Sequence, residues 1–396
     1  MKLPRLFRPA LALLLSAAGL RAADAPIADV VRDDFAFAAA QYARMLDQVK
    51  GRSGYPRTVE KGELKLITYK DWTSGFFPGS LWYLAEATGD AKFRAAAVAQ
   101  TAGLEQSKNN RSTHDVGFVL YCSYGNGLRL GGDAAYRDVL LTGAQSLITR
   151  FNPTVGAIQS WDKRRGWEFP VIIDNMMNLE LLMYASRASG NPRFREVAIA
   201  HADTTLKNHF RPDGSSYHVV DYDPATGKIR ARVTHQGAAD SSAWSRGQAW
   251  GLYGYTMMYR ETKNPAYLAH AQKIAALLLN HPRLPADKIP YWDFDAPEIP
   301  NAPRDSSAAA IMCSALLELR TFVGPDDAKR YTALAEQQLR SLSSPAYRAK
   351  LGENGCFLLM HATGHKPGGT EIDVPINYGD YYFIEALHRY QTALAK

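Results

Sequence analysis

The 396-residue sequence predicts an all-α fold, an (α/α)6 barrel of six helical hairpins with long loops at one end. Three observations carry this prediction. Apolar stretches with helical spacing outnumber strand-like alternation along the chain. Short connections alternate with long ones, so in an antiparallel chain of hairpins all the long loops fall at the same end. A stop–start punctuation also recurs, in which a glycine-type helix end is followed by an Asp, Asn or Pro start and then an aromatic residue. An open solenoid of hairpins is the rival arrangement.

The first residues stand apart. Met1-Lys2-Leu3-Pro4-Arg5-Leu6-Phe7-Arg8 is basic, an apolar run extends from Pro9 to Leu20, and Arg21-Ala22-Ala23 supplies small residues. This is the pattern of a secretory signal over residues 1–22, cut at Ala22 or close by. The run is too short to span a bilayer as a helix, and no later segment is long and apolar enough. An exported protein, periplasmic or secreted, with residues 23–396 as one barrel domain, is therefore expected, without a membrane partner. Lys2, Arg5, Arg8 and Arg21 in the leader account for four of the seven net positive charges. The remainder is only mildly basic, which argues against a nucleic-acid partner. Cys122, Cys313 and Cys356 form neither a disulfide framework nor a zinc signature.

Along the chain, Ala28 to Val49 reads as an amphipathic helix and 51–70 as a loop. Asp71-Trp72-Thr73-Ser74-Gly75-Phe76-Phe77-Pro78-Gly79 leads into an apolar helix that stops at Thr88-Gly89-Asp90. The punctuation then repeats at Gly131-Gly132-Asp133, Ser189-Gly190-Asn191, Lys263-Asn264 and Gly324-Pro325-Asp326. Inner helices are predicted to start near Gly79, Val116, Asn175, Ser245, Ser306 and Tyr378. Their partners start near Lys92, Ala134, Pro192, Pro265 and Asp326, with the N-terminal helix as the sixth. The long loops run 104–115, 151–174, 210–244, 281–305 and 341–377. Within the third, Tyr217 to Tyr222 and Ile229 to Val233 flank Asp223-Pro224-Ala225-Thr226-Gly227 and suggest a β-hairpin.

Asp115 and Asp174 each end a long loop and begin a predicted inner helix. Each suits a helix N-cap. Two carboxylates over one aromatic-rich cleft also suit glycoside chemistry, with one acid protonated and one ionised. Arg246 near a helix start suits a bidentate carboxylate clamp, and Trp244 and Trp250 suit stacking on a sugar face. His218 and His235 are too far apart in sequence for a standard zinc motif, so neither a metal nor a cofactor is expected. Phosphate-binding glycine loops and a nucleophile elbow are missing from the sequence.

Asp71 to Gly79, Thr113-His114-Asp115, Ile173-Asp174-Asn175-Met176-Met177-Asn178 and Trp244-Ser245-Arg246-Gly247-Gln248-Ala249-Trp250 together resemble the unsaturated glucuronyl hydrolases, glycoside hydrolase family 88. The resemblance implies the same barrel. It also implies hydration of the C4=C5 bond of a 4,5-unsaturated uronic acid at the non-reducing end of lyase-generated, glycosaminoglycan-type oligosaccharides. On the resemblance, Asp174 is the general acid/base. Asp115 is a second essential acid, either a nucleophile or a group that holds sugar hydroxyls. His218, Thr234, Gln236, Arg246 and Trp250, with Trp244 beside them, bind the unsaturated ring. Thr363-Gly364-His365-Lys366-Pro367 lies where some members recognise sulfate. The alternatives are an unsaturated rhamnogalacturonyl hydrolase acting on pectin fragments and a non-catalytic oligosaccharide-binding protein. The oligomeric state is left open.

Overall fold

A computed structural model describes residues 25–394; the predicted leader lies outside them. In chain order the elements are α1 (Ile27–Val49), β1 (Tyr55–Glu60), β2 (Glu63–Ile67), α2 (Phe76–Thr88), α3 (Ala91–Ala102) and α4 (Val116–Leu120). A π turn at Tyr121–Gly125 and a last turn at Asn126–Arg129 complete α4. Next come α5 (Ala135–Ile148), β3 (Phe151–Asn152), β4 (Ala157–Ile158), β5 (Phe169–Ile172), α6 (Leu179–Ser189), α7 (Pro192–Asn208), β6 (Val219–Tyr222) and β7 (Ile229–Val233). The chain ends with α8 (Ser245–Thr262), α9 (Pro265–Asn280), α10 (Ser306–Leu319), α11 (Pro325–Leu342), β8 (Ala362–His365), β9 (Thr370–Val374) and α12 (Asn377–Leu394).

The even-numbered helices form the inner ring. Each of α2, α4, α6, α8, α10 and α12 packs on the next, and α12 packs back on α2. That closure decides for the barrel and against the open solenoid. Burial agrees with position. In α10 every residue from Ser306 to Leu317 is buried, because it faces the barrel interior on one side and the outer ring on the other. The outer helix α11 buries only one stripe, Tyr331, Leu334, Ala335, Gln338, Leu339 and Leu342. The punctuation works as predicted at several joints. Gly89 and Gly190 are left-handed at the ends of α2 and α6, and Asp90, Asn191 and Asn264 cap the helices that follow. Gly324 differs: its φ of −66° makes it the N-cap of α11, with Pro325 at the first helical position.

Two further readings are corrected. Residues 51–70 are not only a loop, since β1 and β2 pair there antiparallel. The pairing is held from outside, by Thr58 Oγ1 donating to Pro375 O and by Arg57 bonded to both Asp71 and Glu371. The predicted helix at Asn175 starts instead as a 3-10 segment, Ile173–Asn178, before α6. Its entry is fixed by Ile173 N donating to His218 O and by the three-stranded sheet β5-β6-β7. The β6–β7 hairpin was expected; its third strand β5 was not.

Candidate active site

At the loop end of the ring, the starts of α4 and of the 3-10 segment lie side by side. Asn178 Oδ1 accepts from Phe118 N at 2.8 Å. A side chain at Gly117 would place its Cβ 2.7 Å from Asn178 Cα, so glycine is what permits this approach. The approach brings Asp115 near Asp174, close enough for the charge of one to act on the other.

Neither acid caps its helix. Asp115 makes no cap bond; its Oδ2 accepts from Thr113 Oγ1 at 2.6 Å. Asp174 is 7% exposed, and its buried Oδ2 has no hydrogen-bond partner. By contrast, Asp305 caps α10 through Ser307 N and Ala308 N. Burial pushes both Asp115 and Asp174 up to about 7, in each case against opposing contributions: Thr113 and Arg150 for Asp115, Arg246 for Asp174. Asp380 is also raised to about 7 by burial, yet it has a structural task. It accepts from Leu358 N, Leu359 N and Tyr42. What sets Asp115 and Asp174 apart is therefore raised acidity combined with unused oxygen atoms.

His218 faces Asp174. Its Nδ1 accepts from His235 N at 3.1 Å and Gln236 N at 3.0 Å. Burial, and then the charges around it, hold the ring neutral, so the proton sits on Nε2. That Nε2 is buried without a partner, 3.8 Å from Asp174 Oδ2. A buried ring N–H and a buried carboxyl oxygen thus face the same side of the cleft. The turn after β7 builds this: Thr234 Oγ1 accepts from Gly237 N, and Gln236 Nε2 donates to Gly364 O.

Arg246 is 1% exposed. Nη1 donates to Asp305 Oδ2 at 2.8 Å and to Thr363 O, and Nη2 donates to Gly364 O. The guanidinium lies between the rings of Trp244 and Tyr378. It is therefore anchored and not a free clamp, although no hydrogen bond among the described residues engages Nε. Stacking on sugar is not open to Trp244 or Trp250, which are 3% and 0% exposed. Trp244 packs on His218 and Arg246; Trp250 packs on Phe118 and Tyr382. The Trp250 indole N–H has no well-formed hydrogen bond among the described residues, but it is aimed at Asp174 and opposes the rise in that acid's pKa.

Sequence reasoning missed the aromatic wall above these groups. Trp161 pairs by a single bridge with Thr113 and meets His218 and His235 edge-on. Trp167 stacks on it at 6.2 Å. Both are half-buried, and two tryptophans in an otherwise polar loop were the available signal. Also missed was Asp305, whose tie to Arg246 spans 59 residues and leaves no local pattern. Among the described residues no cluster of His, Cys, Asp or Glu could hold a metal ion.

The model of Glycosyl Hydrolase Family 88 matches residues 53–392. An unsaturated glucuronyl hydrolase from Formosa agariphila is 48% identical over 360 residues, covering 90% of this chain and 89% of the relative. An unsaturated chondroitin disaccharide hydrolase from Streptococcus pyogenes is 35% identical, with 86% of each chain covered. Among solved structures, an unsaturated glucuronyl hydrolase specific for heparin superposes with a TM-score of 0.90 at 48% identity, over 93% of this chain and 98% of the other.

Proposed function

The chain belongs to glycosyl hydrolase family 88, and from that premise we propose that it hydrates the C4=C5 bond of an unsaturated uronic acid at the non-reducing end of an oligosaccharide. The observation that carries the reading is that Asp174 Oδ2 and His218 Nε2 stand 3.8 Å apart, both buried and neither paired in a hydrogen bond among the described residues. Two such atoms can converge on one polar group placed beside them.

In this reading Asp174, kept protonated near neutral pH by burial, gives its proton to C4. Positive charge develops at C5 and the ring oxygen. Asp174, now a carboxylate, takes a proton from the water that attacks C5. The hemiketal opens to a ketone at C5, C1 is left as a hemiacetal, and its collapse releases the second sugar. No bond at C1 is displaced directly. Asp115 orients sugar hydroxyls, since Thr113 occupies one of its oxygens and the other, 3.3 Å from His114 Nε2, accepts no hydrogen bond among the described residues. The N–H groups of His218 Nε2 and Trp250 Nε1 are the buried donors available to the uronate, and the anchored Arg246 supplies positive charge behind them. Thr234 and Gln236 act by holding His218. The basic and apolar start of the chain supports export, which detection of a shortened mature chain outside the cytoplasm would test.

The experiment is a panel of unsaturated disaccharides released by chondroitin, hyaluronan, heparin and pectin lyases, followed by loss of alkene absorbance. Turnover of a glycosaminoglycan-derived member supports the reading. Turnover of the pectin member alone would reassign the substrate to rhamnogalacturonan fragments, and binding without turnover would make the protein a sugar carrier.

A further inference from the structure

We propose that the turn Arg164-Arg165-Gly166-Trp167 is an anion-binding subsite that takes a sulfate group on the sugar next to the unsaturated uronate; the inference rests on the reaction proposed above.

The first observation is unpaired charge. Arg164 and Arg165 are both exposed, and among the described residues neither side chain makes an ion pair or a hydrogen bond. Their neighbours do: Arg150 pairs with Asp162, and Lys163 and Arg230 both pair with Glu168. In a loop where the other cations have found carboxylates, two adjacent guanidinium groups are left open.

The second observation is position. Trp161 is bridged to Thr113, the residue that bonds Asp115, and its ring meets His218. The Arg164 guanidinium lies 3.8 Å from the Trp161 ring centre. A guanidinium laid on an aromatic face keeps its N–H edge available for a planar pair of oxygen atoms. The order Asp115, Thr113, Trp161, Arg164 thus leads outward from the acids, as a second sugar would. The positive charge of both arginines is felt at His235 and at His365, two imidazoles 4.6 Å apart beside this wall.

The third is backbone strain. Trp167 N donates to Arg164 O, closing a two-residue turn in which Arg165 has φ +54° and Gly166 has φ +78°. Both values are left-handed, the type I′ pattern, which asks for Asn, Asp or Gly at the first position. An arginine there is held in a conformation its side chain disfavours, and such outliers cluster at ligand clamps. Lys366, the cation singled out from sequence, is a weaker reader because it is paired with Glu298 at 3.2 Å.

The test compares wild type with Arg165→Gly and with Arg164→Gln/Arg165→Gly, on matched unsaturated chondroitin and heparin disaccharides with and without sulfate on the second sugar. Glycine suits the left-handed position, so Arg165→Gly is expected to keep or raise the Tm. KM for the sulfated partner is expected to rise about three- to tenfold, the loss of one screened charge pair, while KM for the unsulfated partner stays put. Added salt should weaken sulfated binding in the wild type and have less effect in the double variant. Equal changes on both substrates, or none on either, overturn the subsite and leave the reaction standing. A wild type that opens neither disaccharide overturns the reaction and the subsite with it.

Discussion

Asp174 and Asp115 are acids whose burial is only partly offset by their neighbours, and two predictions belong to that scale. Asp174→Asn is expected to fold and to lose at least about 10²–10⁴-fold in kcat, the usual contribution of a positioned proton donor. Circular dichroism beside the kinetics checks that the loss is chemical. The same substitution should change stability in a pH-dependent way. The folded acid is raised from 3.8 to about 7, so the folded state holds the proton more tightly than the unfolded chain. The stability this contributes is complete below about pH 4 and is lost as pH rises through 7. The variant lacks that loss. Denaturant unfolding should therefore favour Asp174→Asn over wild type at pH 8, by an amount on the order of 2–4 kcal/mol, and the advantage should disappear near pH 4. The rate should fall with alkalinity for the same reason: above an apparent pKa near 7, belonging to the coupled pair and not to one acid, kcat/KM should drop about tenfold per pH unit. Activity still rising through pH 8 would assign the proton to another group.

The elements determine where those acids stand. Gly117→Ala should disturb the site without touching an acid, because the new Cβ would meet Asn178 Cα at 2.7 Å and force α4 away from the 3-10 segment. A cost of about 1–3 kcal/mol in stability is expected, with kcat falling more than KM rises. Arg246→Ala should cost more, about 3–5 kcal/mol, because Asp305 would be left buried without its partner; thermal unfolding measures it. Local patterns made much of this scale legible. The helix starts at Val116, Pro192, Ser245, Pro265 and Ser306 were readable because caps, prolines and apolar spacing act within a few residues. The β1–β2 hairpin was not, because Gly, Pro and charge read as a loop and the pairing depends on Pro375 and Glu371, more than 300 residues away. The 3-10 start at Ile173 was hidden for the same reason: its apolar spacing is helical, and His218 O sets its entry. Asp115 and Asp174 were readable as a pair through the long-loop count and through the motifs that carry the family resemblance. Their difference from ordinary caps is a matter of which atoms their oxygens meet, and no spacing records that.

On the scale of the whole molecule, closure of the inner ring sets one face apart for chemistry. The short connections Gly89-Asp90, Gly190-Asn191 and Lys263-Asn264 turn at one end, and the loops that carry Asp115, Trp161, Asp174, His218 and His365 meet at the other. The match of residues 53–392 to a glycosyl hydrolase family and the superposition on an unsaturated glucuronyl hydrolase fit that division. The central claim is that the alkene is protonated at C4 from the side on which Asp174 stands, and that the second sugar leaves only afterwards. Time-resolved NMR of the reaction in heavy water tests it most directly. The predicted result is loss of the alkene hydrogen signal in step with appearance of one deuterium at C4, in a single configuration, before or together with release of the second sugar. Release of that sugar while the alkene signal persists would contradict it, and would mean that Asp115 and Asp174 attack C1 as an ordinary glycosidase pair.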